Sequence, residues 1–254
     1  LDFPPGVVNV ITGDGPTTGA PLAGHPDIDH ISFTGSSEVG RVIAETGGRN
    51  LVPVTCELGG KTPNVVFADA DLEQAVTMAV SSICMNQGQI CVAGSRLVVQ
   101  ESIREEFVDR FVRRVEQLNV GNPLDESTHM GSLVDRVQFD RVMGYVEKGR
   151  GEGTLRTGGH PLNDPDKEPG FYMKPTVFDG VSPDAAIAQD EVFGPVLSVI
   201  PFENEEEAIR LANHTRYGLA AWLFTGDLRR AHRFAREVEA GIVAINRIGG
   251  FYPL

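Results

Sequence analysis

The sequence predicts an α/β protein, and three observations carry that expectation. Short apolar, β-branched runs alternate along the chain with segments whose apolar residues recur at helical spacing. Several of the helical segments open on Ser, Asp or Asn with Glu or Gln three residues later, the pattern that satisfies orphan N–H groups at a helix start. The alternation is not interrupted by an internal repeat or a low-complexity tract.

Phe3-Pro4-Pro5-Gly6 leads into Val7-Val8-Asn9-Val10-Ile11, which reads as a buried strand. With Leu at position 1, the chain is expected to start within a longer polypeptide. His30–Phe33 reads as a second strand running into the small-residue turn Thr34-Gly35-Ser36-Ser37-Glu38-Val39-Gly40 and a helix over 36–46. Residues 51–56 form a third strand entering Glu57-Leu58-Gly59-Gly60. Together these make part of a doubly wound sheet, because a nucleotide site normally needs both halves around the switch point.

After a brief strand at Asn64–Phe67, Asp71 with Gln74 opens a helix over 72–86, its apolar stripe at 72, 75, 76, 79, 80, 83 and 84. Arg96–Gln100 is a strand. Ser102 with Glu105 is expected to cap a helix that buries Ile103, Phe107, Phe111 and Val115. A loop over 121–131, a helix over 133–149 and an exposed Gly-, Pro- and Asp-rich connection over 149–170 follow. Strands at Pro175–Phe178, Val196–Phe202, Leu219–Phe224 and Ile242–Asn246 complete the pattern. Between them lie a helix capped by Asn204 with Glu207 and one that runs from Asp227 to a close at Gly241.

The 254 residues, 41% hydrophobic, suffice for one large domain or two smaller ones. Lys and Arg number 22 against 35 Asp and Glu, a net charge of −13 with no compensating basic cluster, which argues against nucleic acid as a partner. No apolar run is long enough for a membrane helix, and no targeting pattern opens the chain. Three scattered cysteines make neither a disulfide framework nor a metal set, and the six histidines include no HExxH. The expectation is a cytoplasmic protein with reduced thiols, no metal and no membrane partner.

Only an accessible thiol with a lowered pKa is a useful nucleophile. Cys84 lies on an apolar helical stripe, and Cys56 alternates with Val52 and Val54, so both read as core. Cys91 lies in the glycine-bounded polar segment Asn86-Gln87-Gly88-Gln89-Ile90-Cys91-Val92-Ala93-Gly94-Ser95 and is the candidate nucleophile, although a cysteine can equally be an inert buried residue. Glu57, facing away from the valines at the mouth of a Gly-Gly turn, is either a base or an exposed carboxylate at a strand end. The Gly35–Gly40 turn offers backbone N–H groups at a helix start, as a phosphate site and a plain capping turn both do.

Four motifs in order, Phe33-Thr34-Gly35-Ser36-Ser37-Glu38-Val39-Gly40, Glu57-Leu58-Gly59-Gly60-Lys61, Asn86-Gln87-Gly88-Gln89-Ile90-Cys91 and Glu191-Val192-Phe193-Gly194-Pro195, closely resemble the aldehyde dehydrogenase superfamily. The resemblance extends over essentially the whole chain, through Tyr217-Gly218-Leu219 and Ala240–Asn246. It implies residues 1–60 as the C-terminal half of an NAD(P)-binding domain and 61–254 as a thiol-bearing α/β catalytic domain, incomplete at its C-terminus. It further implies that Cys91 attacks an aldehyde to form a thiohemiacetal, that a thioester remains after hydride transfer, and that a partly buried Glu57 activates the hydrolytic water. The Cys91 N–H would donate to the oxyanion, a contribution of ~3 kcal/mol. Gly35, Ser36 and Gly40 would serve the cofactor pyrophosphate, Leu58 and Gly59 would pass beside the cofactor, Glu191 would take the nicotinamide-side ribose, and Phe193 would pack near the nicotinamide. Ile90 and Val92 would line the substrate.

The family's upstream Trp-Asn pair, its adenine-ribose Lys and its C-terminal Phe-Gly-Gly stretch have no counterpart here. The resemblance therefore implies a piece of a dimeric or tetrameric enzyme, with weak cofactor binding and little turnover by itself. A CoA-acylating semialdehyde dehydrogenase is the alternative, opposed by Glu57, whose water-activating carboxylate would waste the thioester. A truncated or catalytically silent relative is the non-enzymatic reading.

Overall fold

The computed structural model describes residues 3–162 and 170–249, and the chain forms two compact units, Leu1–Gly59 and Gly60–Leu254. In the first, Asp14 caps a single wide turn at Gly15–Gly19 by accepting from the Thr17 N–H, and the short helix α1 (Ala20–Ala23) follows. Strand β1 (Ile31–Thr34), helix α2 (Ser37–Asn50) and strand β2 (Val54–Glu57) form a βαβ unit. Its strands pair in parallel, with Phe33 opposite Cys56 and Thr34 opposite Glu57. Ser36 caps α2, its Oγ accepting from the Val39 N–H at 3.3 Å, and Leu51 ends it in the left-handed region.

The expected buried strand at 7–11 does not form. Among the described residues no strand pairs with this segment, and Val8 and Val10 are 71% and 85% exposed. Without a ladder to satisfy its N–H and C=O groups, an apolar run has no reason to become a strand.

The second unit is built on a seven-stranded sheet of order β5-β6-β7-β4-β3-β8-β9. Its strands are β3 (Pro63–Val66), β4 (Arg96–Gln100), β5 (Thr154–Thr157), β6 (Thr176–Asp179), β7 (Val196–Phe202), β8 (Ala220–Phe224) and β9 (Ile242–Ile245). All neighbouring pairs are parallel except β5 with β6. Between the strands run α3 (Leu72–Cys84), α4 (Arg104–Glu116), α5 (Arg136–Gly149), the short α6 (Ala186–Gln189), α7 (Glu205–Asn213) and α8 (Leu228–Glu237).

Both faces of this sheet are covered, so its central strands are buried almost throughout and largely apolar. Val66, Leu97, Val99, Trp222 and Phe224 pack with α3 and α4 on one face. Val65, Val98, Ala221 and Leu223 pack with α5, α7 and α8 on the other. Asp71, Asp135, Asn204 and Asp227 each cap the helix that follows by accepting from its first-turn N–H groups.

Three expectations need correction here. Ser102 caps nothing: Glu101–Ile103 tightens into a 3₁₀ turn and α4 starts from Ile103 without a side-chain cap; Phe107, Phe111 and Val115 are buried as anticipated, but Ile103, in that turn, is only half-buried. The helix from Asp227 ends at Glu237, before Gly241. The connection after Gly149 contains β5, which pairs with β6 twenty residues downstream; residues 163–169 of that connection lie outside the described residues.

Candidate active site

In the first unit the backbone gathers the glycine-rich turn and the end of β2. The Gly35 N–H donates to the Glu57 carbonyl at 3.1 Å, fixing the strand end against the turn. Leu58 lies over Gly40, on the first turn of α2. Ser36 stands at the N-terminus of this fourteen-residue helix, where unpaired N–H groups and the helix dipole favour an anion. Glu57 is exposed, not partly buried as anticipated, because it faces away from Val54 and Cys56 on a two-stranded sheet. Cys56 is only half-buried, since that sheet is too small to enclose either face.

In the second unit three motifs separated by as many as 131 residues meet. The Gly60 N–H donates to Glu191 Oε1 at 3.2 Å. The same glycine passes so close to the Cys91 carbonyl oxygen that a Cβ there would lie 2.5 Å from it. Only glycine permits that approach. Cys91 itself is a half-buried thiol between half-buried Ile90 and Val92, whereas Cys84 is buried on α3 and burial pushes its thiol up to about 12. The helical stripe that marked Cys84 as core is thus a correct reading.

Local backbone geometry carries Cys91 out of α3. Asn86, Gln87 and Gly88 are left-handed in succession, with φ of 48°, 57° and 70°. For the two non-glycine residues this conformation costs ~1–3 kcal/mol each, a strain that the surroundings must over-determine. Asn86 Nδ2 donates to the Gln89 carbonyl at 2.9 Å, and Gln89 Oε1 accepts from the Val134 N–H at 3.1 Å. Gly88 also backs onto the Gly194 carbonyl, where a Cβ would sit 2.4 Å away, so the thiol loop and the Glu191–Pro195 segment are in backbone contact.

Phe193 is left-handed too, at φ 57°, and the residue is 37% exposed. Two side chains three residues apart on α5 hold this segment. Gln138 Nε2 donates to the Val192 and Phe193 carbonyls at 3.1 and 2.7 Å, and the Arg141 guanidinium donates to the Glu191 carbonyl at 2.7 Å. Sequence reading passed over both, since a polar pair at that spacing on an amphipathic helix reads as a solvated face. Among the described residues no group of three or more His, Cys, Asp or Glu could hold a metal, and no helix is long and apolar enough to cross a membrane.

The second unit is thus a mostly parallel α/β sheet that presents a half-buried cysteine within a loop held by backbone contact against the segment carrying a carboxylate and an exposed aromatic residue. The chain belongs to the aldehyde dehydrogenase family, whose model matches residues 1–253. It is 48% identical over 96% of its length to horse (Equus caballus) mitochondrial aldehyde dehydrogenase, and 48% identical over 96% of its length to mouse (Mus musculus) retinal dehydrogenase 2. Among solved structures it matches a putative aldehyde dehydrogenase from Burkholderia cenocepacia (TM-score 0.96, 45% identity, 99% of this chain and 52% of that one). It also matches a double mutant of betaine aldehyde dehydrogenase from Staphylococcus aureus in complex with NAD+ (TM-score 0.95, 37% identity, 98% and 50%). The chain spans about half the length of the curated relatives it matches, 48% of the horse protein and 47% of the mouse one.

Proposed function

We propose that these residues supply the nucleophile, the base and the nicotinamide-side contacts for oxidation of an aldehyde to a carboxylate with NAD(P)+. The observation that supports it most is the meeting of Gly60 with both the Cys91 backbone carbonyl and Glu191, which brings the cysteine's loop and a carboxylate suited to accept from ribose hydroxyls onto one glycine. Cys91 Sγ attacks the aldehyde carbon and gives a thiohemiacetal, its oxyanion taking the Cys91 N–H. A bound nicotinamide supplies the hydride acceptor. Loss of hydride leaves a thioester on Cys91; Glu57 takes a proton from water, which adds to the thioester carbonyl and expels the thiolate with release of the carboxylic acid.

The residues fit such a cofactor. Glu191 and the exposed Phe193 offer a diol acceptor beside an aromatic face; in the first unit Gly35, Ser36 and Gly40 surround the N-terminus of α2, where the helix dipole favours a pyrophosphate, the Gly35 and Gly40 N–H groups themselves being bonded to the Glu57 and Ser36 carbonyls. Leu58 and Gly59 are assigned to the backbone beside the cofactor, and Ile90 and Val92, half-buried on either side of Cys91, to the aldehyde. The proposed division is 1–60 as the cofactor-binding part, which also carries Glu57, and 61–254 as the thiol-bearing part, which also carries Glu191 and Phe193. The natural protein is proposed to be a cytoplasmic homodimer or homotetramer.

The test is aldehyde-dependent formation of reduced nicotinamide by this chain and by a longer one extended at both ends, each with NAD and NADP across an aldehyde panel. We expect turnover by the longer chain, little or none by the 254 residues alone, and none in either after Cys91→Ser. Absence of turnover in both with every aldehyde overturns the proposal.

A further inference from the structure

The loop that carries Cys91 leaves α3 after Cys84 and rejoins the sheet at Arg96, so its thiol is only as well placed as the two ends of the loop. The leading end is held by the contacts of Gly88 and Gln89 given above. The trailing end converges on Gly94, held by two side chains that the chemistry leaves unused. The α3 ladder stops with the Met85 N–H on the Ser81 carbonyl, and the next carbonyl, that of Ser82, accepts instead from the Gly94 N–H at 3.2 Å. The Ser82 hydroxyl accepts from the same N–H at 2.9 Å, and Asn64 Nδ2, on β3, donates to the Gly94 carbonyl at 3.0 Å. A Cβ on Gly94 would lie 2.2 Å from Asn64 Nδ2 and 2.4 Å from Ser82 Oγ, so glycine is what lets both groups reach the backbone.

Both side chains are enclosed, Asn64 at 0% exposure and Ser82 at 5%. Asn64 Oδ1 has no hydrogen-bond partner among the described residues, so this amide is buried at a cost for the one bond to Gly94. Between Gly94 and the thiol lies a tight turn, closed by the Ala93 N–H on the Ile90 carbonyl at 3.0 Å, with Cys91 and Val92 at its centre. A displacement of Gly94 is therefore passed on to Cys91 and not absorbed by slack chain. We propose that Asn64 and Ser82 are positioning residues that fix the trailing end of the thiol loop at Gly94 and, through the closed turn, hold the Cys91 thiol and N–H where an aldehyde is attacked. The inference rests on the assignment of Cys91 as nucleophile above.

The test compares wild type, Asn64→Leu, Ser82→Ala and the double variant in the whole natural protein that contains these residues. Three quantities are read: kcat against aldehyde KM, the rate of Cys91 alkylation by iodoacetamide with Cys56 as reference in the same sample, and the melting temperature. In the double variant kcat should fall roughly ten- to hundredfold with KM within about threefold, because a reacting atom misplaced by about 1 Å costs rate more than binding. The Cys91 alkylation rate should change by about threefold or more relative to Cys56, as the thiol leaves its place. A merely structural pair would lower the melting temperature and leave kcat and the Cys91 rate at wild-type values, and that result overturns the proposal. Should the double variant fail to fold, Ser82→Ala alone decides, since the Ser82 carbonyl still takes the Gly94 N–H. A fall in kcat of about twofold or more with an altered Cys91 rate then supports the role, and wild-type values of both overturn it. If the wild type oxidises no aldehyde, the function proposed above falls. The Cys91 alkylation rate, changed or unchanged in the variants, still decides whether the pair positions the thiol.

Discussion

At the scale of single residues, Gly60 and Lys61 show how adjacent positions are decided by different physics. Gly60 is required by sterics: a methyl group there would meet the Cys91 carbonyl oxygen at 2.5 Å and Leu219 at 3.3 Å. Gly60→Ala should therefore displace the thiol loop, cutting turnover of the longer chain at least tenfold and changing the alkylation rate of Cys91 by iodoacetamide, with Cys84 still inert. A Cys91 alkylation rate equal to wild type would contradict that account. Lys61 is decided by electrostatics. Its amine falls from 10.5 to about 7 on folding, so between those values the unfolded chain binds the extra proton and stability rises with pH. The penalty of burying the charge is fully present below 7. From pH 7 to 9 we expect a gain on the order of 1–2 kcal/mol, read as an upward shift in the urea midpoint that disappears in Lys61→Met. The window stops at 9 because Cys84, raised from 9.0 to about 12 by burial, acts in the opposite direction above it.

At the scale of elements, α5 is more than a cover for the sheet. Val142 and Val146 face the core, while Gln138 and Arg141 take three consecutive carbonyls of Glu191–Phe193. Those bonds compensate for the left-handed backbone at Phe193. In the longer chain, Gln138→Ala together with Arg141→Ala should raise the cofactor KM roughly three- to tenfold, and the three lost bonds, at ~0.5–1.5 kcal/mol each, should lower the melting temperature by several degrees. A large loss of melting temperature with KM unchanged would instead make the pair a structural brace. The elements that were legible in the sequence were those with local causes. Asp71, Asn204 and Asp227 announce their helices because a cap and its N–H partners lie within three residues. Strand β5 was not legible, since Thr154–Thr157 sits between glycine-rich stretches and owes its conformation to β6. Residues 7–11 failed in the converse way, carrying strand composition with no ladder to join.

At the scale of the molecule, the candidate residues could be picked out one at a time, but their convergence could not. Nothing near Gly60 in sequence signals that its N–H meets Glu191, and a lysine after two glycines reads as exposed until a seven-stranded sheet encloses it. Enclosure also differs between the units. Within α2 the buried residues are Gly40, Ile43 and Gly47, and the β1–β2 pair has no fully buried position, whereas β3 is buried throughout. Amides of β1 and β2 should exchange with solvent far faster than those of β3 and β4, as hydrogen-exchange mass spectrometry can check. Comparable protection in both would show that β1–β2 opens no more readily than the central strands.

The strand order has a consequence for how the protein is made. Strand β3 lies between β4, some thirty residues later, and β8, which begins more than 150 residues later. On a ribosome, one edge of β3 must stay unpaired until β8 has emerged, more than 150 residues later, leaving the Val65-Val66 backbone open to any passing strand. Ribosome-bound chains released just before residue 220 should therefore aggregate or hold chaperone, and those released after β9 should not.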